Sequence, residues 1–149
     1  MVSHEKLLKD LNKTSLPDHF KRWFNCYLHG RQSKVNFRNQ TSSSRNIHTG
    51  VPQGAVTSPV LFNFYLSNLP ATLENIKLIQ YADDITVYAC VRDLTELAGS
   101  INTYVKSLTN FLTERELLVS PEKSTVTLFT PNPAEAQAHP EIYVQEKCV

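Results

Sequence analysis

Two runs of β-forming residues on either side of an acidic turn constrain the fold of this chain more than any other feature. The runs are Ile76–Tyr81 and residues 85–88, and Ala82, Asp83 and Asp84 lie between them. Branched and aromatic side chains favour strands, and a short polar connection between two such runs predicts an antiparallel hairpin. We therefore expect a hairpin that carries two adjacent carboxylates at its tip.

Helical periodicity is the second constraint, and it is strongest just after the hairpin. Apolar residues recur every three or four positions over residues 94–117, and Asp93 with Glu96 resembles a capping box at the start. Residues 59–69 are apolar on nearly all sides, behind the predicted helix cap Ser58. We expect both helices to pack on the same face of a sheet, because both need an apolar surface to cover.

Shorter segments complete the predicted order of elements, which is helix, helix, strand pair, helix, hairpin, helix and strand. Two helices precede residue 30, two strands occupy residues 34–37 and 45–48 around a polar loop, and the last strand occupies residues 125–129. We expect residues 1–130 to form one domain and residues 131–149 a linker-like tail. The order predicts an α+β fold with helices packed on one face of a mainly antiparallel sheet.

Charge is distributed unevenly along the chain, although the net charge is only +1. Residues 1–50 hold nine Lys or Arg against three Asp or Glu, and the remaining residues are acidic on balance. A basic front half is typical of a surface that binds a polyanion, and helices with a solvated basic face are an equal alternative. Arg31, Lys34 and Arg38 are the candidate contacts to a nucleic-acid backbone.

Other classes of protein fit the sequence poorly. No apolar run approaches the 18 residues that a membrane-spanning helix needs, and the first residues lack the pattern of a secretory signal. The three cysteines, Cys26, Cys90 and Cys148, are too widely spaced for a zinc site and too few for a disulfide framework. We expect no membrane association and a reducing, intracellular compartment.

The adjacent carboxylates Asp83 and Asp84 have two interpretations. Like charges at neighbouring positions repel each other, and a divalent cation bound between them would convert that repulsion into coordination. Aspartate is also a common turn residue, because its side chain bonds to its own backbone. The pair alone does not decide between a metal site and an ordinary turn.

Longer motifs around the pair resemble those of reverse transcriptases, and among these the LINE-type enzymes of non-LTR retrotransposons. The motifs are Gly50-Val51-Pro52-Gln53-Gly54-Ala55-Val56-Thr57-Ser58-Pro59 and, about two dozen residues later, Tyr81-Ala82-Asp83-Asp84. Residues 2–8 and 117–124 extend the resemblance on both sides, so that it covers residues 2 to about 130. This implies an internal piece of the polymerase palm, the subdomain that carries the catalytic carboxylates.

The resemblance assigns a role to each of these residues. Asp83 corresponds to a direct metal ligand, Asp84 to a secondary ligand or electrostatic support, and Tyr81 to a contact near the primer end. The residues that correspond to the nucleotide and template pocket are Pro52, Gln53 and Gly54. Lys123 corresponds to the residue that neutralises or protonates the leaving pyrophosphate.

Cofactors and partners follow from the same resemblance. The complete enzyme would use Mg²⁺, with Mn²⁺ as an alternative, and would act on an RNA template, a DNA primer and deoxynucleoside triphosphates. Polymerases of this class act on chromosomal targets, which implies the nucleus as the compartment. The sequence leaves the oligomeric state open.

Several parts of the family's catalytic domain lie outside these 149 residues. They include the first metal-binding aspartate motif, the fingers elements, the primer-gripping hairpin and the thumb. We therefore expect the chain alone to be catalytically incomplete. The alternatives are a remnant that binds nucleic acid without catalysis and an inert piece of a retrotransposon-derived gene.

Overall fold

A computed structural model describes residues 1–135 and 137–149, which form two compact units. The first unit, Met1–Asn68, contains helices α1 (His4–Lys13), α2 (Asp18–Leu28) and α3 (Thr57–Tyr65), and strands β1 (Gln32–Ser33), β2 (Asn36–Phe37), β3 (Gln40–Thr41) and β4 (Arg45–Asn46). The second unit, Leu69–Val149, contains strands β5 (Ile76–Tyr81) and β6 (Asp84–Ala89), helix α4 (Leu94–Glu114), a 3₁₀ turn (Pro121–Lys123), and strands β7 (Tyr143–Val144) and β8 (Lys147–Cys148).

Apolar side chains from all three helices form the core of the first unit. The buried residues are Val2, Leu7, Leu11, Leu28, Leu61, Tyr65 and Leu66. The start of the chain is tied to the segment before α3, because the Gly50 amide donates to the Val2 carbonyl at 2.7 Å and His4 Nε2 lies 2.6 Å from the Gly50 carbonyl. These bonds hold the beginning of the Gly50 loop, which we define as residues 49–56, against α1.

The segment between α2 and the Gly50 loop is one bent hairpin, residues 31–48, which we call the arm. Strand β1 pairs with β4 and β2 pairs with β3, and the register shifts by one residue between the two pairs. The predicted strands at residues 34–37 and 45–48 are therefore only partly correct, since β3 lies inside the predicted loop. The tight turn was missed because Arg38 and Asn39 both adopt positive φ without a glycine.

Helix α3 begins and ends earlier than the sequence predicts. It starts at Thr57 rather than after Ser58, and it stops at Tyr65, short of residue 69. The Ser58 hydroxyl donates to the carbonyl of Pro52, so it closes the preceding loop instead of capping the helix. After Tyr65 the chain turns, with a bond from the Ser67 amide to the Phe64 carbonyl at 3.1 Å.

The central hairpin of the second unit is confirmed. Strands β5 and β6 pair without interruption from Ile76 opposite Ala89 to Tyr81 opposite Asp84. Helix α4 contacts both strands, and burial alternates along them, so that one face of the hairpin is packed and the other is open. Because α3 belongs to the other unit, a sheet face shared by α3 and α4 stays a prediction.

Both ends of α4 are defined by hydrogen bonds. At the start, the Asp93 carboxylate accepts from the amides of Thr95 at 2.7 Å and Glu96 at 3.1 Å, which confirms the predicted cap. At the end, Glu116 has a φ of 58°, and the amides of Glu116 and Leu117 donate to the carbonyls of Thr113 and Leu112. This Schellman motif ends the helix at Glu114 instead of residue 117.

The cap makes the stability of α4 depend on pH. Hydrogen bonds from the Glu96 and Thr95 amides hold the pKa of Asp93 below its ordinary value of 3.8. The cap therefore stabilises the fold above the unfolded-state pKa, and this contribution is lost as the pH falls through the lower folded-state pKa. We expect Asp93→Asn, which keeps a capping oxygen but does not titrate, to show a smaller loss of melting temperature below about pH 4.

Melting curves followed by circular dichroism at neutral and acidic pH test this expectation. Asp93→Ala is the comparison variant, since it removes the capping oxygen and should melt earlier even at neutral pH. An Asp93→Asn protein that loses melting temperature with acid as steeply as the unmodified chain would contradict it.

The end of the second unit differs from the sequence prediction. Residues 125–129 form no strand, and Phe129 is 89% exposed. The predicted linker-like tail includes residue 136, which lies outside the described residues, but it ends in the hairpin of β7 and β8. This hairpin packs on α4 through buried Ile142 and Val144, and the Tyr143 amide donates to Asn102 Oδ1 at 2.8 Å.

The α+β class is confirmed, but the strands are divided among several small sheets instead of the one sheet predicted. In the described ranges the strands form four separate two-stranded antiparallel sheets. A single palm-like sheet and a domain boundary at residue 130 stay predictions. Within those same ranges, no helix combines the length and the apolar content that crossing a bilayer requires.

Candidate active site

The acidic turn is the tip of the hairpin formed by β5 and β6. Ala82 and Asp83 form the two-residue connection, and Asp84 is the first residue of β6, opposite Tyr81. Ala82 has a φ of 52°, a conformation that costs energy for any residue with a Cβ. The Gln80 side chain donates from Nε2 to the Ala82 carbonyl at 3.1 Å and so braces this turn.

Gln80 was not among the residues selected from the sequence. Its bond spans only two positions, and no spacing rule distinguishes it from an ordinary polar residue in a strand. Only the turn conformation reveals it.

The side chains of Tyr81, Asp83 and Asp84 are directed to solvent. Asp83 and Asp84 are exposed, and Tyr81 is 82% exposed. Directly opposite residues of an antiparallel pair share one face, so Tyr81 and Asp84 lie side by side on the open face of the hairpin. The structure thus brings together three of the residues selected from the sequence.

Carboxylate oxygens are the ligands that Mg²⁺ and Mn²⁺ prefer, so this donor set suits such an ion. Within residues 1–135 and 137–149, however, no three His, Cys, Asp or Glu side chains are arranged to hold a metal ion. Asp83 and Asp84 therefore fit a divalent cation as part of its ligand set.

The Gly50 loop carries a second tight turn, over Pro52, Gln53, Gly54 and Ala55. The Ala55 amide donates to the Pro52 carbonyl at 3.4 Å, and Gly54 has a φ of 83°, the combination found in a type II turn. Gln53 and Gly54 are exposed, and a Cβ added to Gly54 would meet no atom within 4 Å. The glycine is thus required by the backbone conformation, and the space beside it is open.

The requirement for glycine at this turn can be measured. We expect Gly54→Ala to lower the free energy of unfolding by about 1–2 kcal/mol, because a Cβ is strained at positive φ. Gly99, inside α4, also has open space around it but has no positive φ. Gly99→Ala should therefore raise the free energy of unfolding by up to about 1 kcal/mol.

Urea denaturation of the two alanine variants beside the unmodified chain is the measurement. The opposite signs make each variant the control for the other. Equal effects at Gly54 and Gly99 would show that the loop turn does not demand a glycine.

Lys123 lies in the 3₁₀ turn, in the same unit as the acidic hairpin, and its side chain is exposed. Its neighbour Glu122 pairs with Lys147 at 2.9 Å, and the hydrogen bond from Lys147 lowers the pKa of the Glu122 carboxyl. In the described part of the chain, no hydrogen bond or ion pair joins Lys123 to Asp83 or Asp84. The proposed catalytic role of Lys123 stays a prediction.

The three basic residues selected from the sequence all lie on the arm. Arg38 occupies its tip, where the guanidinium carbon lies 5.3 Å from the centre of the Phe37 ring. Lys34 is exposed at the shift in register, and Arg31 lies at the base, where its carbonyl accepts from the Ile47 amide at 2.8 Å. The arm thus presents positive charge along its whole length.

A comparison with known protein families identifies the family of this chain. The sequence profile described as "Reverse transcriptase (RNA-dependent DNA polymerase)" matches residues 1–147. The chain belongs to the reverse transcriptase family. The match includes the Gly50 loop, the acidic hairpin and strand β7.

Similar curated proteins come from mobile elements of Drosophila melanogaster. The chain is 29% identical over 136 residues to the probable RNA-directed DNA polymerase from transposon BS. This alignment covers 87% of the chain and 15% of that protein. It is 26% identical over 138 residues to the corresponding protein from transposon X-element, covering 90% of the chain and 15% of that protein. The RNA-directed DNA polymerase from mobile element jockey is 24% identical over 110 residues, covering 69% of the chain and 12% of that protein.

These relatives confirm the prediction of a LINE-type reverse transcriptase sequence. The chain spans only 15% of the length of the first two relatives.

Proposed function

We propose that the chain is the part of an RNA-directed DNA polymerase palm that presents two carboxylates to a catalytic divalent ion. The observation that carries this proposal is the solvent-directed Asp83 and Asp84 turn, braced by Gln80, in a chain that matches the reverse transcriptase family over residues 1–147. Template-directed nucleotidyl transfer is the reaction, and an RNA template, a DNA primer and deoxynucleoside triphosphates are the substrates.

Each residue of the acidic turn has a distinct part in the proposal. Asp83 would hold Mg²⁺, or Mn²⁺ in its place, and Asp84 would serve as a secondary ligand or as electrostatic support. When bound, such ions supply charge stabilisation to the attacking and leaving oxygens of the phosphoryl transfer. Tyr81, exposed beside Asp84 on the open face, packs near the primer end.

Two further elements handle the nucleotide. The turn of Pro52, Gln53 and Gly54 lines the template and nucleotide pocket, where the open space beside Gly54 admits a close ligand. The Lys123 ammonium neutralises or protonates the leaving pyrophosphate.

The isolated chain should bind a divalent ion weakly and should not extend a primer, because the acidic turn offers two carboxylates without a third. We expect Mn²⁺ to broaden the nuclear magnetic resonance signals of residues 82–84 selectively. Primer extension on RNA or DNA templates with Mg²⁺ or Mn²⁺ should stay at background.

The double variant Asp83→Asn with Asp84→Asn should lose the selective broadening, and Asp93→Asn is the matched control that should keep it. Broadening spread evenly over all exposed carboxylates would count against a metal-binding turn. Primer extension that disappears on Asp83→Ala would show that the isolated chain is catalytically active by itself.

A second candidate function is nucleic-acid binding without catalysis, and the arm favours it. Residues 19–73 contain no Asp or Glu, and Arg31, Lys34 and Arg38 all lie on the arm. Contacts between such basic side chains and the phosphates of a nucleic acid do not depend on its sequence, and they weaken as the salt concentration rises.

A further inference from the structure

The tip of the arm exposes an aromatic ring that the core does not use. Every residue from 32 to 46 is exposed, and the Phe37 side chain is 69% exposed. Val35 on the same arm is exposed to the same extent, so the arm carries two apolar side chains of different shape in solvent. Single exposed apolar residues are common on protein surfaces, so the residues around this ring decide what it can bind.

Hydrogen bonds between the two sides of the arm stabilise the conformation of its tip. Arg38 and Asn39 form the two-residue turn with φ values of 45° and 64°, and Thr41 Oγ1 donates to Asn36 Oδ1 at 2.8 Å just below it. The Val35 amide donates to Ser42 Oγ at 3.0 Å, which joins the two sides of the arm one step further from the turn. The ring of Phe37 is thus presented on a paired strand instead of a loose loop.

The charge around this ring selects the class of partner. The arm contains Arg31, Lys34, Arg38 and Arg45 and no Asp or Glu. Arg38 lies over the Phe37 ring, with 5.3 Å between the guanidinium carbon and the ring centre. A cation beside an exposed aromatic face is the arrangement that binds an unpaired base together with its phosphate.

We propose that the tip of the arm binds single-stranded nucleic acid, with Phe37 stacked on an unpaired base and Arg38 bonded to the adjacent phosphate. The proposal rests on the phosphate contacts of the arm described above and adds a preference for single strands over duplexes. Bases in a duplex are already stacked on each other and leave no face for Phe37, whereas every unpaired base has one.

The test compares binding of a single strand and of a duplex by the full 149-residue chain. Fluorescence anisotropy would follow a labelled 12-nucleotide oligouridine RNA and the same strand paired with oligoadenosine. We expect Phe37→Ala to weaken binding of the single strand about tenfold and to leave duplex binding unchanged. Val35→Ala is the matched control, and it should change neither affinity.

A conservative variant and a spectroscopic signal separate stacking from a general disturbance of the arm. Phe37→Trp should keep the affinity of the unmodified chain for the single strand. A single strand containing 2-aminopurine should show quenched fluorescence on binding to the unmodified chain, and this quenching should be absent with Phe37→Ala.

Three results would overturn the proposal. Equal losses for Phe37→Ala and Val35→Ala would show that apolar area, not stacking, is what matters. Equal losses for single strand and duplex would leave the phosphate contacts standing and remove the role of the ring. Binding of neither nucleic acid would show that the arm serves a different class of partner, while the metal-binding proposal for Asp83 would be unaffected.

Discussion

Replacing Asp83 by Asn is expected to reduce RNA-templated DNA synthesis about 1000-fold in a polymerase whose catalytic domain contains this chain. Asn keeps the size of the side chain and removes the charge that the divalent ion needs. The turn should survive the change, because its bracing bond runs from Gln80 to the backbone of Ala82. Asp84→Asn should cause a smaller fall, as expected of a secondary ligand.

The measurement needs the rest of a polymerase. Residues 1–149 would replace the matching segment of the transposon BS polymerase, to which they are 29% identical over 136 residues. Incorporation of labelled deoxynucleotides on an RNA template would then be compared for Asp83→Asn and for Asp93→Asn, which makes the same chemical change at the cap of α4. Equal activities of the two variants would refute the catalytic assignment of Asp83.

Charge reversal on the arm is expected to weaken nucleic-acid binding by the isolated chain about 100-fold or more at 50 mM salt. The variant carries Arg31→Glu, Lys34→Glu and Arg38→Glu. Each lost phosphate contact lowers the dependence of affinity on salt by about 0.7 for a single strand, so the slope should fall by about 2. All sequences should be affected alike, because phosphates carry no base information.

A control variant with the same change in net charge distinguishes local contacts from the overall field. Lys77→Glu, Arg92→Glu and Lys106→Glu reverse three exposed charges in the second unit. This control should weaken binding much less than the arm variant, and Gln53→Ala should change it little without a bound nucleotide. Equal effects of the two charge reversals would mean that the arm is not the binding surface.

Local features of the sequence were sufficient to predict the acidic hairpin and the start of α4. The strands on either side of Ala82 and Asp83 pair as an antiparallel hairpin, and Asp93 caps its helix. Both features depend on residues only a few positions apart, so short-range pattern rules apply to them. The motifs around Gln53 and Asp83 likewise led to the family, which the comparison confirmed.

Turns without glycine were the main source of error. Arg38 with Asn39, Glu116, and Gln145 with Glu146 all adopt positive φ. Side chains with a Cβ disfavour this conformation, so turn rules based on glycine and proline do not predict a turn at such positions. Their cost is met by hydrogen bonds and packing of the whole unit, which no local pattern contains.

Short-range patterns were enough to place the acidic hairpin and the start of α4 and to identify the family. Which of the later segments form strands is settled by tertiary packing, since residues 125–129 stay unpaired and the last residues form a hairpin on α4. Ile142 and Val144 are buried against that helix, whereas Phe129 is left exposed. Both segments have strand-forming side chains, and the choice between them depends on which one finds an apolar surface and backbone partners, such as Asn102.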